Sequence, residues 1–528
     1  MIPLLGLGFT VGCASTQVEL PTGYMPPPVS AGRDSQTAVT LETVAEKPSK
    51  AAESAIPVPA ASNVAKPVQP VKGSPFQLPA QFPGLDKPPV QVPKFSPNTP
   101  AAERDKAIRA AYPELPPIQS HLPIDPKAQP YTLADLQQLA MANSPVISQA
   151  EAEAEVAYGQ VIQAGLPPNP TIGYQGDQWQ PGNRPKPLNN NGQQGGFINW
   201  MFKTAGKLSL AQQVAGYEYV NALVAVRRAQ IDVSTQVRTQ YFAAIVAKQG
   251  MDINKALATM ADEVYRLQLK QLAAGEVAGY EPLQLYAQAV QARNSYIQAE
   301  AAYQSAWKQL VAAIGKIDLP QAPIAGRADT PAPDLKLDAI SSQMLENHTD
   351  LLTARNAIAK AQTNLTLQKR IPIPDLQTNQ YHQYDNVAQN YQFGIQLGVS
   401  LPLLDRNQGN IRSAYSQIAS AEKKLLASTN DLTGRLSEAF IRYEMNRKIA
   451  ANYRDQVIPK LTQNYGAMIQ RYQVEPEKVG FNDIVVAQQN LAQALQAYLA
   501  ALSAQWQAII DVANVTQMDD LYVPDVQK

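Results

Sequence analysis

The sequence predicts a mainly α-helical protein with a small β-barrel portion, laid out as two tandem copies of one unit. Three observations carry this expectation. Apolar residues recur every seven positions through a long stretch that is almost free of helix breakers. Just upstream of a second such stretch, the pattern switches to strict alternation. Landmark residues of the first half also return in order, at a nearly constant offset, in the second.

Composition sets the bounds. The 528 residues carry 44 Lys+Arg against 44 Asp+Glu, so formal net charge is zero. That argues against a nucleic-acid binder driven by bulk charge. There is no run of about 18 or more apolar residues, which excludes a bundle of membrane-spanning helices. A spanning β-barrel stays open, because its strands alternate and hide from hydropathy. One Cys excludes an internal disulfide and a Cys-based zinc site. His121, His348 and His382 lie far apart, in no H-x-x-x-H or H-E-x-x-H pattern, and the ten Met form no cluster. No metal site, no cofactor and no convergent His, Cys or Ser constellation is expected, hence no enzyme.

Residues 2–12 are apolar and end at Cys13. The run is too short to span a bilayer and fits the apolar core of an export signal. Residues 10–15 resemble a bacterial lipobox, with Gly12 before the cleavage point and Cys13 as lipid acceptor; the alternative is a buried, inert thiol. Residues 1–12 therefore read as a signal peptide. Residues 13–130 read as a lipid-anchored tether, since 23 of the 42 Pro lie between 21 and 130. Such a stretch buries too little apolar surface to offset the entropy of ordering.

From Tyr131 the chain turns rich in Ala, Gln, Leu and Val at helical spacing. Asn143 matches Asn347, Pro168 matches Pro372 and Pro170 matches Pro374, each 204 apart. Gly206 and Ala211 match Gly409 and Ala414, and Trp307 matches Trp506. Residues 131–316 and 335–515 read as the two repeats, 317–334 as their linker and 516–528 as a tail. Each repeat reads as helix, two strands, very long helix, tight turn, helix.

The first long helix starts near Ala205, with Leu210, Tyr217, Val224, Ile231 and Ile245 on a seven-residue period and Arg238 as the exception. In the second, Ile411, Ile418, Leu425 and Leu432 do the same. This period implies a left-handed coiled coil. At 1.5 Å per residue the first helix would reach roughly 100 Å, more than a globular domain needs. The turns fall at about 274–279 and 474–480. The returning helices carry Leu283, Tyr286, Val290 and Ile297, or Ile484, Leu491, Leu495, Tyr498 and Leu502, spaced to pack antiparallel on their partners.

Strands interrupt the helices. From Gln392 to Ser400, Phe393, Ile395, Leu397 and Val399 share one face, and Gln392, Gly394, Gln396, Gly398 and Ser400 the other. That is lipid-out, water-in alternation of about the 9–11 residues a membrane strand needs. The rival is a half-buried strand of a soluble sheet. Companion strands are expected at Asp375–Tyr384, Thr171–Tyr174 and Phe197–Phe202, giving hairpins at about 171–202 and 375–400. A Pro/Gly/Asn-rich loop spans 180–196. Tyr174, Trp179, Trp200 and Tyr381 are candidates for interfacial girdles. Four strands cannot close a barrel alone. Eight, from two chains, would enclose only side chains; three chains give a twelve-stranded barrel with an aqueous lumen.

With these motifs assembled, residues 131–515 resemble the TolC family of outer-membrane efflux proteins across both repeats. The stretch from Leu401 to Asn410, LPLLDRNQGN, is similar to a signature of its CzcC-like, heavy-metal-efflux branch. Phe202–Lys207 resembles that branch's Gly-Gly-Lys-Arg element, and Lys478–Ile484 its tip turn. The resemblance implies a homotrimer whose twelve-stranded barrel sits in outer-membrane lipid and whose antiparallel coiled coils continue as an α-helical barrel through the periplasm. It also implies tips that meet a periplasmic adaptor, and through it an inner-membrane pump. The chain would be a passive, gated exit duct for heavy-metal cations or other small toxic compounds. Rival readings are a type I protein-secretion duct and a lipid-anchored coiled-coil spacer without a pore.

Four tip residues, Val277, Gly279, Val479 and Gly480, are candidates for adaptor docking, since small and apolar residues at an exposed turn otherwise serve only turn geometry. Arg471, Tyr472 and Asp483 are candidates for a gate between protomers, against the alternative of a solvated helix face. Gly206 and Gly409 are expected to relieve backbone strain where strand becomes helix. Asp405 and Arg406 are expected to pair with each other or to cap the following helix.

Overall fold

A computed structural model describes residues 90–96, 98–120, 122, 129–177, 192–475 and 480–518. Cys13, Trp179, Val479 and most of the Pro-rich segment lie outside the described residues. The chain divides into two compact units, one of them Pro27–Pro113. The described part of that unit holds one helix, α1 (Ala101–Ala111), which buries Ile108 and carries an Asp105–Arg109 ion pair of 2.9 Å.

The other unit holds the rest of the described chain from Glu114 onward. Its first half runs α2 (Leu133–Asn143), α3 (Pro145–Gly165), β1 (Thr171–Asp177), β2 (Gln193–Phe202), α4 (Lys207–Ala274) and α5 (Glu281–Ile314). Its second half repeats that order: α6 (Leu337–Asn347), α7 (Thr349–Arg370), β3 (Leu376–Asp385), β4 (Asn390–Val399), α8 (Gln408–Asn452), a π turn (Tyr453–Val457), α9 (Ile458–Val474) and α10 (Phe481–Thr516).

Two helices, not one, precede each hairpin. Pro145 opens α3 and disfavours helical geometry at Ser144, which is extended. In the second half the break falls on His348, whose Nδ1 accepts the Asp350 backbone N–H at 3.1 Å and caps α7. Upstream, Thr132 and Asp135 form a reciprocal capping box at the start of α2.

The 68 residues of α4 run unbroken. Its counterpart does not. Pro459 has no N–H to offer the carbonyl of Asp455, and its ring would crowd that carbonyl in a regular α-helix. The π turn immediately before α9 absorbs the misfit.

The return helices pack along seams that differ in kind. On α10, Ile484, Leu491, Tyr498 and Leu502 are buried. On α5 the apolar positions Leu283 and Ile297 are exposed. The buried seam is Leu285, Ala289, Arg293, Tyr296, Glu300, Tyr303 and Trp307, one step round the helix. Its charges are partnered: Arg293 Nη2 lies 2.7 Å from Asp262 Oδ2 on α4, and Ser120 Oγ donates to Glu300 Oε1 at 2.7 Å.

The segment between the halves is pinned by buried side chains. Trp506 Nε1 donates to the Ala328 carbonyl at 2.8 Å and the Tyr241 hydroxyl to that of Ala325 at 2.6 Å, while the Tyr443 hydroxyl donates to that of Pro333. Trp506 also stacks on Phe242 with ring centroids 3.9 Å apart. These rings sit in the main core, where α4, α5, α8 and α10 meet.

The strands form one antiparallel sheet in the order β1-β2-β3-β4. At the strand-to-helix corners the left-handed residues are Ala205 and Gly206 in the first half and Asn407 in the second. Gly409 does not share that role; it lies inside α8. Asp405 Oδ1 accepts the Asn407 N–H at 2.9 Å, and Arg406 N donates to Gln408 Oε1 at 2.8 Å.

Candidate functional site

The sheet has two unlike faces, and register decides which residue belongs to which. On one face lie Ile172 and Tyr174 of β1, Ile198, Trp200 and Phe202 of β2, and Phe393, Ile395, Leu397 and Val399 of β4. Across the sheet they form shared rungs such as Ile172, Ile198, Gln380 and Ile395. All nine are exposed, the four on β4 by 56–67 %. Burying a side chain of this size is worth about 1.5–3 kcal/mol, so a face built of them is costly to leave in water. Trp200 and Phe202 pack with centroids 4.5 Å apart at the helix-proximal end. Tyr391 stacks on His382 and meets Tyr384 edge-on at the other end. Two aromatic groups thus flank an aliphatic band, the distribution found at membrane interfaces.

The opposite face is polar. It carries Gln175, Asp177, Gln193, Asn199, Gln377, Asn379, Gln383, Asp385, Gln392 and Gln396. Gln193 Nε2 donates to Asp385 Oδ2 at 3.0 Å and Gln175 Nε2 to Asp177 Oδ2 at 2.5 Å. Tyr381 belongs to this face, not to an interfacial girdle, because it pairs with Gly394.

Both edges of the sheet, on β1 and β4, are unpaired among the described residues. An open edge is a template for another strand.

Where the sheet meets the helices, one carboxylate ties the halves together. Asp375 accepts from Lys207 Nζ at 2.7 Å, Lys203 Nζ at 2.9 Å and the Thr204 N–H at 3.1 Å. Burial pushes this carboxyl up, but the two lysines and the backbone donor outweigh it and hold its pKa down at about 2.

The helical tips lie at the far ends of α4/α5 and α9/α10. Val277 and Gly279 are half-buried and Gly480 is exposed. The large apolar residues standing out at the tips are Tyr280 and Val474, more than 70 % exposed, with Val486 nearby on α10. Apolar periodicity does not mark them, since Tyr280 and Val474 end their helices without belonging to a seam.

The three gate candidates go separate ways. Arg471 is exposed and lies 3.8 Å from Glu475, one turn on. Asp483 caps α10, accepting the Gly480 N–H at 3.1 Å. Tyr472 is buried in a small tip core with Ile484, Leu267, Tyr465, Met468 and Phe481. Burial raises the pKa of its hydroxyl, and the charge of Glu276 adds to this.

Among the described residues no helix is long and apolar enough to cross a membrane. Nor does any group of His, Cys, Asp and Glu among them form a metal-binding cluster.

Comparison with known proteins shows what these features resemble. Residues 136–316 match the family model described as outer membrane efflux protein. The cobalt-zinc-cadmium resistance protein CzcC of Cupriavidus metallidurans is 25% identical over 402 residues, covering 75% of this chain and 93% of that protein. The outer membrane protein VceC of Vibrio cholerae has a similar solved structure, with TM-score 0.59 and 16% identity over 73% of this chain and 95% of that one. So has CusC, with TM-score 0.59 and 15% identity over 76% of this chain and 98% of that one. This mainly helical chain with a small sheet has the fold of the TolC-like channel proteins, and residues 136–316 of its first half are similar to the outer membrane efflux protein family.

Proposed function

We propose that the chain is one subunit of a trimeric exit duct, with its sheet in the outer membrane and its long helices in the periplasm. The observation that carries this reading is the sheet: open at both edges, apolar and exposed on one face, polar on the other. Joining β4 of one copy to β1 of the next satisfies both edges, and three copies give twelve strands around an aqueous lumen. The apolar face then meets lipid and the polar face lines the pore. A pore-less spacer has no use for such a sheet. The repeated element order and the matched landmarks support an origin by duplication.

In this reading α4/α5 and α9/α10 form the coiled-coil wall of a helical barrel. Their tips dock a periplasmic adaptor through Val277, Gly279, Val479 and Gly480, with Tyr280 and Val474 adding apolar contact. Energy comes from an inner-membrane pump, and the duct itself is passive and gated. Cys13 carries the lipid. The cargo is metal cations, supported by the relative that confers cobalt, zinc and cadmium resistance.

The test is twofold. The purified protein should run as a detergent-stable, heat-modifiable trimer and conduct in planar bilayers. Expressed in an efflux-deficient strain, it should restore growth on zinc, cobalt or cadmium more than on hydrophobic drugs. A purely helical circular-dichroism spectrum without conductance would exclude the duct.

A further inference from the structure

We propose that Phe197 and Tyr381 form a collar that sets the bore of the channel, each ring held flat against the wall by a glycine on the neighbouring strand. The inference rests on the barrel reading above. One rung of the sheet runs Gly173, Phe197, Tyr381, Gly394, all on the polar face. These are the two aromatic residues on a face otherwise made of Gln, Asn, Asp, Gly, Thr171 and Met201.

The rings lean apart, each over its own glycine. A Cβ placed on Gly394 would lie 2.1 Å from Tyr381 Cζ and 2.2 Å from its hydroxyl oxygen. A Cβ placed on Gly173 would lie 2.6 Å from Phe197 Cε1 and Cζ. Each ring therefore fills the space that a side chain on the next strand would take. A glycine inside a strand weakens it and marks a place where another group comes close. Here that group is a ring, and cross-strand cover of a glycine by an aromatic offsets the loss. The packing also has a consequence for flow. A ring lying along the wall takes little of the lumen, while a ring standing off it takes much more. With two rings from each of three chains at one level, their tilt fixes the free cross-section there.

Gly195 shows the contrast. A Cβ there would meet the His382 carbonyl oxygen at 1.9 Å, which is backbone, so that glycine permits the strands themselves to approach. At Gly394 and Gly173 the obstacle is the far end of a side chain with two free torsions. An added methyl there evicts the ring and leaves the strand pairing in place.

Single-channel conductance in planar bilayers tests this with Gly394→Ala, Tyr381→Ala and the double variant, each first checked as a heat-modifiable trimer. Gly394→Ala should roughly halve conductance as the rings swing into the lumen, and Tyr381→Ala and the double variant should match or exceed wild type. A silent wild type would sink the barrel reading and the collar with it. A conducting wild type with an unchanged Gly394→Ala, or a double variant as narrow as Gly394→Ala, would overturn the collar alone. Should Gly394→Ala not assemble, Tyr381→Ala decides: conductance below wild type overturns the proposal and conductance equal to or above it supports it.

Discussion

The carboxylate of Asp375 accepts a hydrogen bond from Lys207 Nζ at 2.7 Å, joining the residue before β3 to the first residue of α4. The two are 168 positions apart, so this contact ties one half of the chain to the other at the base of the sheet. Asp375→Ala removes the shared acceptor of two lysines and one backbone N–H and should cost about 1–3 kcal/mol in urea unfolding. The pH dependence has a definite sign. A carboxyl held down at about 2 stabilises the fold fully above the ordinary carboxylate range, and that contribution fades as pH falls from about 4 through about 2. The variant should lack this acid-side loss, measured as unfolding midpoint against pH.

Trp506 holds the segment between the halves. Trp506→Phe keeps the stack on Phe242 but strands the Ala328 carbonyl, at a cost of about 1–3 kcal/mol. Trp506→Ala also opens a cavity and should cost about 3–5 kcal/mol. Chemical denaturation followed at the helical circular-dichroism band separates the two. Equal losses would show that the hydrogen bond contributes nothing.

His348 makes the second half sensitive to mild acid. Burial lowers its pKa, Asp350 opposes that, and Arg228 of α4 and Arg435 of α8 lower it further. The neutral ring accepts the Asp350 N–H, and a proton on Nδ1 would end that cap. Because the folded state binds this proton less well than the unfolded chain, stability is complete above the ordinary histidine value of about 6.5 and declines as pH falls below it. His348→Asn keeps an acceptor at the cap and cannot titrate. It should flatten the thermal midpoint between pH 7 and 5, and an unchanged slope would refute the assignment.

Tyr472 separates a packing role from a gating bond. Its hydroxyl is buried with no hydrogen-bond partner among the described residues, and its ring meets Phe481 edge-on at 6.0 Å. On the gated-duct reading proposed above, Tyr472→Phe should leave the closed-state leak unchanged, while Tyr472→Ala, which empties the tip core, should raise it severalfold. A leak in Tyr472→Phe equal to that of the alanine variant would instead make the hydroxyl the latch. Antibiotic uptake by cells that express each variant reads both.

Much of the fold was legible because its periods are long and regular. The seven-residue repeat marks Val224, Ile231 and Ile245, and all three are buried. What the period could not reveal was polar groups inside the seam. Arg293 and Glu300 read as surface residues on α5, yet each is buried against a partner distant in sequence. The face of Tyr381 was equally hidden, since parity along β3 means nothing until its pairing with Gly394 is known. Asn407 took the left-handed position that Gly409 was expected to hold, because an Asn side chain tolerates that geometry when its N–H and amide find partners. The tip apolars Tyr280 and Val474 carried no periodic signal, as each stands alone at a helix end.

The unequal continuity of the two long helices has a mechanical consequence. Along α4 every backbone turn braces the next, so it behaves as a stiff rod. Its counterpart is jointed at Tyr453–Val457, where the π turn and Pro459 leave the ladder slack. A sideways force at the second tip therefore meets less resistance along α8 and α9 than the same force at the first tip meets along α4, so the two tips of one chain differ in compliance.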